Sequence, residues 1–145
     1  MQTFVPEASV VMSVRSLDPR RLGKQRVETL QIMRALAGLS KGWVNHPAVK
    51  MWRGYESGLM YYQEETCKHW TEHWGYKDTC LNKTFSVFDE HFDAARDELP
   101  HWWGVLMVHD SHKRALIYKS PEYYSEQWPD FEGEYNYYWP EGKNV

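Results

Sequence analysis

From Ala48 to Trp74 the large side chains fall at steps of three and four, through Trp52, Tyr55, Leu59, Tyr62, Thr66 and Trp70. A strand repeats every two residues and a helix every 3.6, so this stripe admits only a helical reading. It predicts one long helix opened by Asn45-His46-Pro47 and stopped at Gly75. The same period recurs on both sides of it. Asp18-Pro19 is an N-cap followed by proline at the first helical position, and Leu22, Leu30, Ile32, Met33, Leu36 and Ala37 share one arc until Gly38 and Lys41-Gly42. A third helix is expected from Thr84 to Leu99, on Phe85, Phe88, Phe92, Ala95 and Leu99 with Pro100 behind it. A fourth should run from about Asp110 to Lys119, and Ser120-Pro121-Glu122 predicts a short fifth. The aromatic, acidic stretch from Trp128 to Val145 reads as ordered coil packed back on the helices. No segment alternates as a strand would. The expected fold is all-α, a compact helical bundle with an aromatic C-terminal coil, as one domain over residues 1–145.

A chain of 145 residues is long enough to bury a core without disulfides, and Cys67 and Cys80 have no redox or metal spacing. No apolar run approaches a membrane span, and residues 1–10 lack the regions of a signal peptide, so a cytoplasmic location without membrane partners is expected. Aromatic residues make up 16%, with 8 Trp and 10 Tyr, more than a core of this size absorbs. The remainder is available to stack on bases or similar flat ligands. Net charge is only -3, which denies the chain the bulk positive field of a general DNA binder. The charge is segregated, however. Residues 1–53 carry nine Lys/Arg against Glu7, Asp18 and Glu28, while residues 54–145 stand at -9. Such a basic front can hold an anion locally.

Three constellations carry candidate chemistry. In Arg20-Arg21-Leu22-Gly23-Lys24-Gln25-Arg26-Val27-Glu28, helical geometry puts Arg21, Lys24, Gln25, Glu28 and Gln31 on one stripe. One carboxylate among cations suits a phosphate-bearing ligand, with the cations holding phosphate while the acid manages a proton. The bland alternative is a solvated face with a Lys24–Glu28 pair worth about 0.3 kcal/mol. The second constellation is Trp43-Val44-Asn45-His46-Pro47 with Trp52 beyond it. Either this helix start receives a phosphate, or Asn45 or His46 merely caps it. The third, His109-Asp110-Ser111-His112-Lys113-Arg114, offers His109, His112, Arg114 and the later Lys119 as anion contacts. It has no third ligand at zinc spacing, so no metal and no cofactor is expected. No phosphate-binding glycine loop or serine nucleophile motif is present.

Taken together, residues 21–28, 42–52, 109–114, 119–124 (Lys-Ser-Pro-Glu-Tyr-Tyr) and 138–140 (Tyr-Trp-Pro) resemble short bacterial and phage proteins of the pyrimidine-dimer DNA glycosylase, or endonuclease V-like, family. The resemblance implies a helical domain that binds lesion-bearing duplex DNA and flips a nucleotide. It further implies an N-terminal α-amine that attacks the sugar C1′ to form an imine, assisted by a first-helix glutamate. Carried over, Glu28 would be the catalytic acid and Met1 would supply the amine. Arg21, Lys24 and Arg26 would grip phosphates from the first helix, and Arg114 and Lys119 from the late one. The chain departs from the pattern at Gln2, where the family mechanism wants a small residue exposed by loss of the initiator methionine. Two functions follow: a glycosylase, with or without abasic-site lyase activity, on damaged or modified pyrimidines, or a non-catalytic protein that sequesters a free or cyclic nucleotide in the same pocket, as a phage protein countering host signalling would.

Overall fold

The computed structural model describes residues 1–93 and 98–143. Seven helices and no strand occur among them: α1 (Val10–Ser16), α2 (Pro19–Leu36), α3 (Pro47–Lys50), α4 (Glu56–Glu72), α5 (Cys80–His91), α6 (Leu106–Lys119) and α7 (Pro121–Tyr124). The all-α reading holds. α2, α4 and α5 pack on one another, α1 lies against α4, α3 against α2, and α7 folds back on α6. Leu22, Ile32 and Met33 of α2 meet Leu59 and Tyr62 of α4, with Val87, Phe88, Trp102 and Leu116 completing the core. None of these helices is long and apolar enough to cross a membrane.

Local signals account for several helix starts. The Asp18 carboxylate accepts the Arg21 N–H, capping α2 with proline at its first position. His46 Nδ1 accepts the Ala48 N–H and caps α3. Ser120 precedes α7 without capping it, because its hydroxyl accepts from Arg21 Nη1 instead.

Four expectations need correction. The stripe from Ala48 to Trp74 is two helices, because Met51–Gly54 form a turn in which Gly54 takes a φ of 85°, a left-handed conformation costly for other residues. The apolar phase survives because the break spans about one helical turn. At this turn the Lys50 carbonyl, which also accepts the Arg53 N–H, and the Arg53 carbonyl accept the N–H groups of Gly142 and Lys143, so the C-terminal coil pairs with the broken helix. α5 begins at Cys80, where Asp78 accepts the N–H groups of Cys80 and Leu81. Thr84 is buried inside it, bonded to Cys80 and Gln63. That helix stops at His91, with Phe92 extended and Leu99 in coil, and Ala95 lies outside the described residues. α6 starts a turn before Asp110, and its exposed Leu106 and Met107 hid the start from an apolar pattern. α1, capped by Ser9, was not anticipated.

The least expected element has no helix at all. Residues 2–5 belong to no helix and are buried, with Thr3 and Val5 fully enclosed. A segment without secondary structure in a helical core must find partners for its backbone groups among side chains. Phe4 N–H donates to Gln25 Oε1 at 2.8 Å, and Gln25 Nε2 donates to the Gln2 carbonyl at 2.8 Å. The Tyr62 hydroxyl lies 2.9 Å from the Phe4 carbonyl and 2.8 Å from Gln25 Oε1. Trp52 Nε1–H reaches Thr3 Oγ1 at 2.8 Å. Val5 is held by two histidines of opposite tautomer. Its N–H donates to His112 Nδ1 at 2.9 Å, and its carbonyl lies 2.6 Å from His109 Nδ1, which therefore carries the proton.

Candidate active site

Anchoring the first residues against α2 creates a cavity of about 550 Å³. Met1, Gln2 and Phe4 form one wall, and Arg20, Arg21, Lys24, Gln25 and Glu28 another. Lys119, Ser120 and Glu122 come from the α6–α7 junction, and Tyr135 and Tyr137 from the C-terminal coil. Part of the polar stripe of α2 is turned inward: Gln25 is 2% and Glu28 8% exposed, whereas Lys24 stands exposed at the cavity's edge and Gln31 faces solvent.

Glu28 is the buried one of the three carboxylates lining the cavity, the others being Asp18 and Glu122. Its Oε2 accepts the Gln2 backbone N–H at 3.0 Å and lies 3.4 Å from Gln25 Nε2, while Oε1 is 3.5 Å from Lys24 Nζ. Glu28 and the amino terminus are also the charged neighbours of His46. Burial first, then repulsion by the terminal amine, holds that imidazole below its ordinary value, against the pull of Glu28. Met1 and Glu28 line the cavity together, and His46 lies outside its lining.

The cations form the rim. Arg21 Nη1 is fixed by Asp18 Oδ1 at 3.1 Å and Ser120 Oγ at 2.9 Å, which leaves the rest of its guanidinium fork for a ligand. Asp18 also accepts from the Tyr124 hydroxyl, so α2, α6 and α7 are tied together behind Arg21. Lys119 Nζ stands 4.7 Å from the Tyr135 ring. Burial, then the nearby Arg21 and Lys24, lowers its pKa, with Glu28 opposing. Like charges held together in this way attract an anion.

Of the residues expected from sequence, the cavity gathers Met1, Arg21, Lys24, Gln25, Glu28 and Lys119, and His46 lies outside its lining. Others sit elsewhere. Arg26 is paired with Asp78 and lies 4.4 Å over the Trp70 ring. Trp52, His109 and His112 are core groups that hold residues 3–5. Arg114 packs 5.1 Å over Phe131, and Asn45 is exposed before α3, outside the cavity lining. Sequence reasoning passed over Arg20, Tyr135 and Tyr137. The first adjoined a chosen residue, and the i,i+2 spacing of the tyrosines was an available signal in an extended coil.

A larger hollow of about 740 Å³ lies between α1 and α4, lined by Arg15, Lys68, His69 and His73 but also by Glu65 and Glu72. It mixes charges and contains none of the expected residues. Among the described residues no three side chains are grouped to hold a metal ion.

No curated protein and no solved structure matches the chain. A family model described as pyrimidine dimer DNA glycosylase matches residues 1–84. That span includes Met1, Arg20, Arg21, Lys24, Gln25, Glu28 and His46, so the carboxylate, the amine and most of the cationic rim lie within the matched segment. With more than half of its length so matched, the chain belongs to the pyrimidine dimer DNA glycosylase family.

Proposed function

We propose that the protein is a DNA glycosylase acting on damaged or modified pyrimidines, with abasic-site lyase activity as its second step. The observation that carries this reading is the seating of Glu28 on the nitrogen of residue 2, beside the chain's amine and beneath a cationic rim. A flipped nucleotide would place its phosphates on Arg20, Arg21, Lys24 and Lys119 and its sugar toward Glu28. The amine attacks C1′, the glycosidic bond breaks and the base leaves with a proton. Opening of the sugar ring then gives an imine on the former amine. Glu28 orients the amine and stabilises positive charge developing on the sugar. Loss of a C2′ proton and departure of the 3′ phosphate complete strand cleavage. Either the Met1 amine reacts, or removal of Met1 exposes an amine at Gln2, whose nitrogen already contacts Glu28.

The test is borohydride trapping on duplex DNA with an abasic site, with the mass of the intact protein reporting which residue carries the amine. A covalent adduct that disappears when the terminus is blocked supports the imine chemistry. Absence of an adduct from the folded protein overturns the lyase step.

One observation favours a second reading, sequestration of a free or cyclic nucleotide. A cavity of about 550 Å³ is the size of a small-ligand site, and the body around it is acidic. Competition separates the two: a mononucleotide that displaces lesion DNA at equal or lower concentration favours sequestration.

A further inference from the structure

The rim of the cavity carries more aromatic surface than the core requires. Residues 131–139 run as coil past α6, where the Glu134 N–H donates to the Arg114 carbonyl at 3.0 Å. Tyr135, Tyr137 and Trp139 form a row with ring centroids 5.3 and 5.2 Å apart. The row continues at both ends. Tyr118 of α6 stands 5.9 Å from Tyr135, while Trp139 stands 5.9 Å from His46, which is 5.7 Å from Trp43. Six rings thus form an unbroken line from the end of α6, past the cavity mouth, to the loop before α3. Neighbouring planes meet at 47° to 89°, tilted or edge to face, and Tyr137, Trp139 and His46 in the middle of the line are half-buried. Tyr118, Tyr135 and Trp43 are 62%, 56% and 42% exposed.

Charge limits what can lie on this line. Lys119 beside Tyr135 and the α2 cations across the mouth can follow one phosphate backbone. Glu122 in the cavity wall and the exposed Glu132 and Glu134 beside the row would face the phosphates of a second strand. Neutralising both strands of a duplex takes many cations, and residues 54–145 stand at -9. Unpaired bases offer π-faces to exposed rings whatever their sequence, and a closed duplex hides them.

We infer that the ring line is a stacking track for unpaired nucleobases, so that the protein takes single-stranded or locally opened DNA in preference to closed duplex. This inference rests on the reading that the cavity accepts a nucleotide of DNA, but its readout is binding and not chemistry at Glu28.

The experiment titrates a fluorescein-labelled thymidine dodecamer, alone and annealed to its adenosine complement, by anisotropy at one salt concentration. The proteins are the parent chain, Tyr118→Ala, Tyr135→Ala, Trp43→Ala and Tyr135→Phe. The single strand should bind at least about tenfold more tightly than the duplex. Each alanine variant should lose about fivefold or more in single-strand affinity, at the low end of the range for one stacked base. Duplex binding should change less than about twofold, and Tyr135→Phe should bind as the parent does because the ring is kept. Thermal melts establish that these exposed-site variants remain folded. Equal or tighter duplex binding, or alanine variants that bind the single strand unchanged, would overturn the track. Failure of borohydride trapping with strand preference and ring dependence intact removes the lyase step and leaves the track standing. Successful trapping with duplex preferred does the reverse.

Discussion

Acid should loosen the anchor that positions the N-terminal segment, through one residue. His112 is fully enclosed, its Nδ1 accepts the Val5 N–H, and its Nε2 has no partner. Its other titratable neighbours are His109 on the same helix and Tyr137 from the coil, whose ring centroid lies 5.6 Å away. Burial, with a smaller contribution from His109, pushes the His112 pKa down to about 3. In the unfolded chain it titrates near 6.5, so between the two values only the unfolded state takes up the proton. The neutral form is the one stabilised by folding. The contribution is therefore complete above about pH 6.5 and is lost progressively as pH falls toward 3. Linkage gives a slope approaching about 1.4 kcal/mol per pH unit, which amounts to about 2 kcal/mol between pH 7 and pH 5. The assay is urea unfolding at both pH values for the parent chain and for His112→Asn, whose Oδ1 can still accept from Val5. Every other titration is common to the two proteins and cancels in the difference. The parent should lose about 2 kcal/mol more than the variant on acidification. Equal losses would refute the assignment of this buried imidazole as the acid-sensitive anchor.

Three further outcomes follow from the site and its support. Glu28→Gln keeps an oxygen for the Gln2 N–H, so it should retain abasic-DNA binding within about threefold while trapping falls about a hundredfold or more. An equal loss of both would make Glu28 a binding group. Lys24→Ala and Lys119→Ala should each weaken oligonucleotide binding and reduce the slope of log affinity against log salt by about one, read from titrations at several salt concentrations. An unchanged slope removes that lysine from the phosphate path. Gly23→Ala would put a Cβ 2.8 Å from Trp70 Cη2, disturbing the ring that stacks on Arg26. Overpacking should outweigh the gain in helix propensity and leave a net loss of about 1 kcal/mol in thermal unfolding. An unchanged or raised melting temperature would show that Trp70 yields freely.

Much of the architecture was legible in local sequence because helix starts are local chemistry. Asp18-Pro19 caps the helix it was expected to cap, while His46-Pro47 caps only the four-residue first piece of the long helix expected behind it. The stripe on α2 correctly grouped Arg21, Lys24, Gln25 and Glu28, since spacing along a helix alone decides which residues share a face. Spacing could not say whether that face meets water. Glu28 and Gln25 are buried because residues 2–5 lie on them, and nothing in the composition of Gln2-Thr3-Phe4-Val5 marks a segment that enters a core. The same contact reassigned the histidines. His109 and His112 read as surface anion ligands from a charged hexapeptide, yet they close the hydrogen bonds of Val5, more than a hundred positions away in the chain. The break at Gly54 stayed hidden because one extra turn preserved the apolar phase, and the carbonyls of Lys50 and Arg53 there accept from Gly142 and Lys143 at the far end of the chain. Sequence by itself determined which side chains each helix presents. Tertiary structure decided which of them face the cavity, because burial and the pairing of backbone groups depend on segments far apart in the chain.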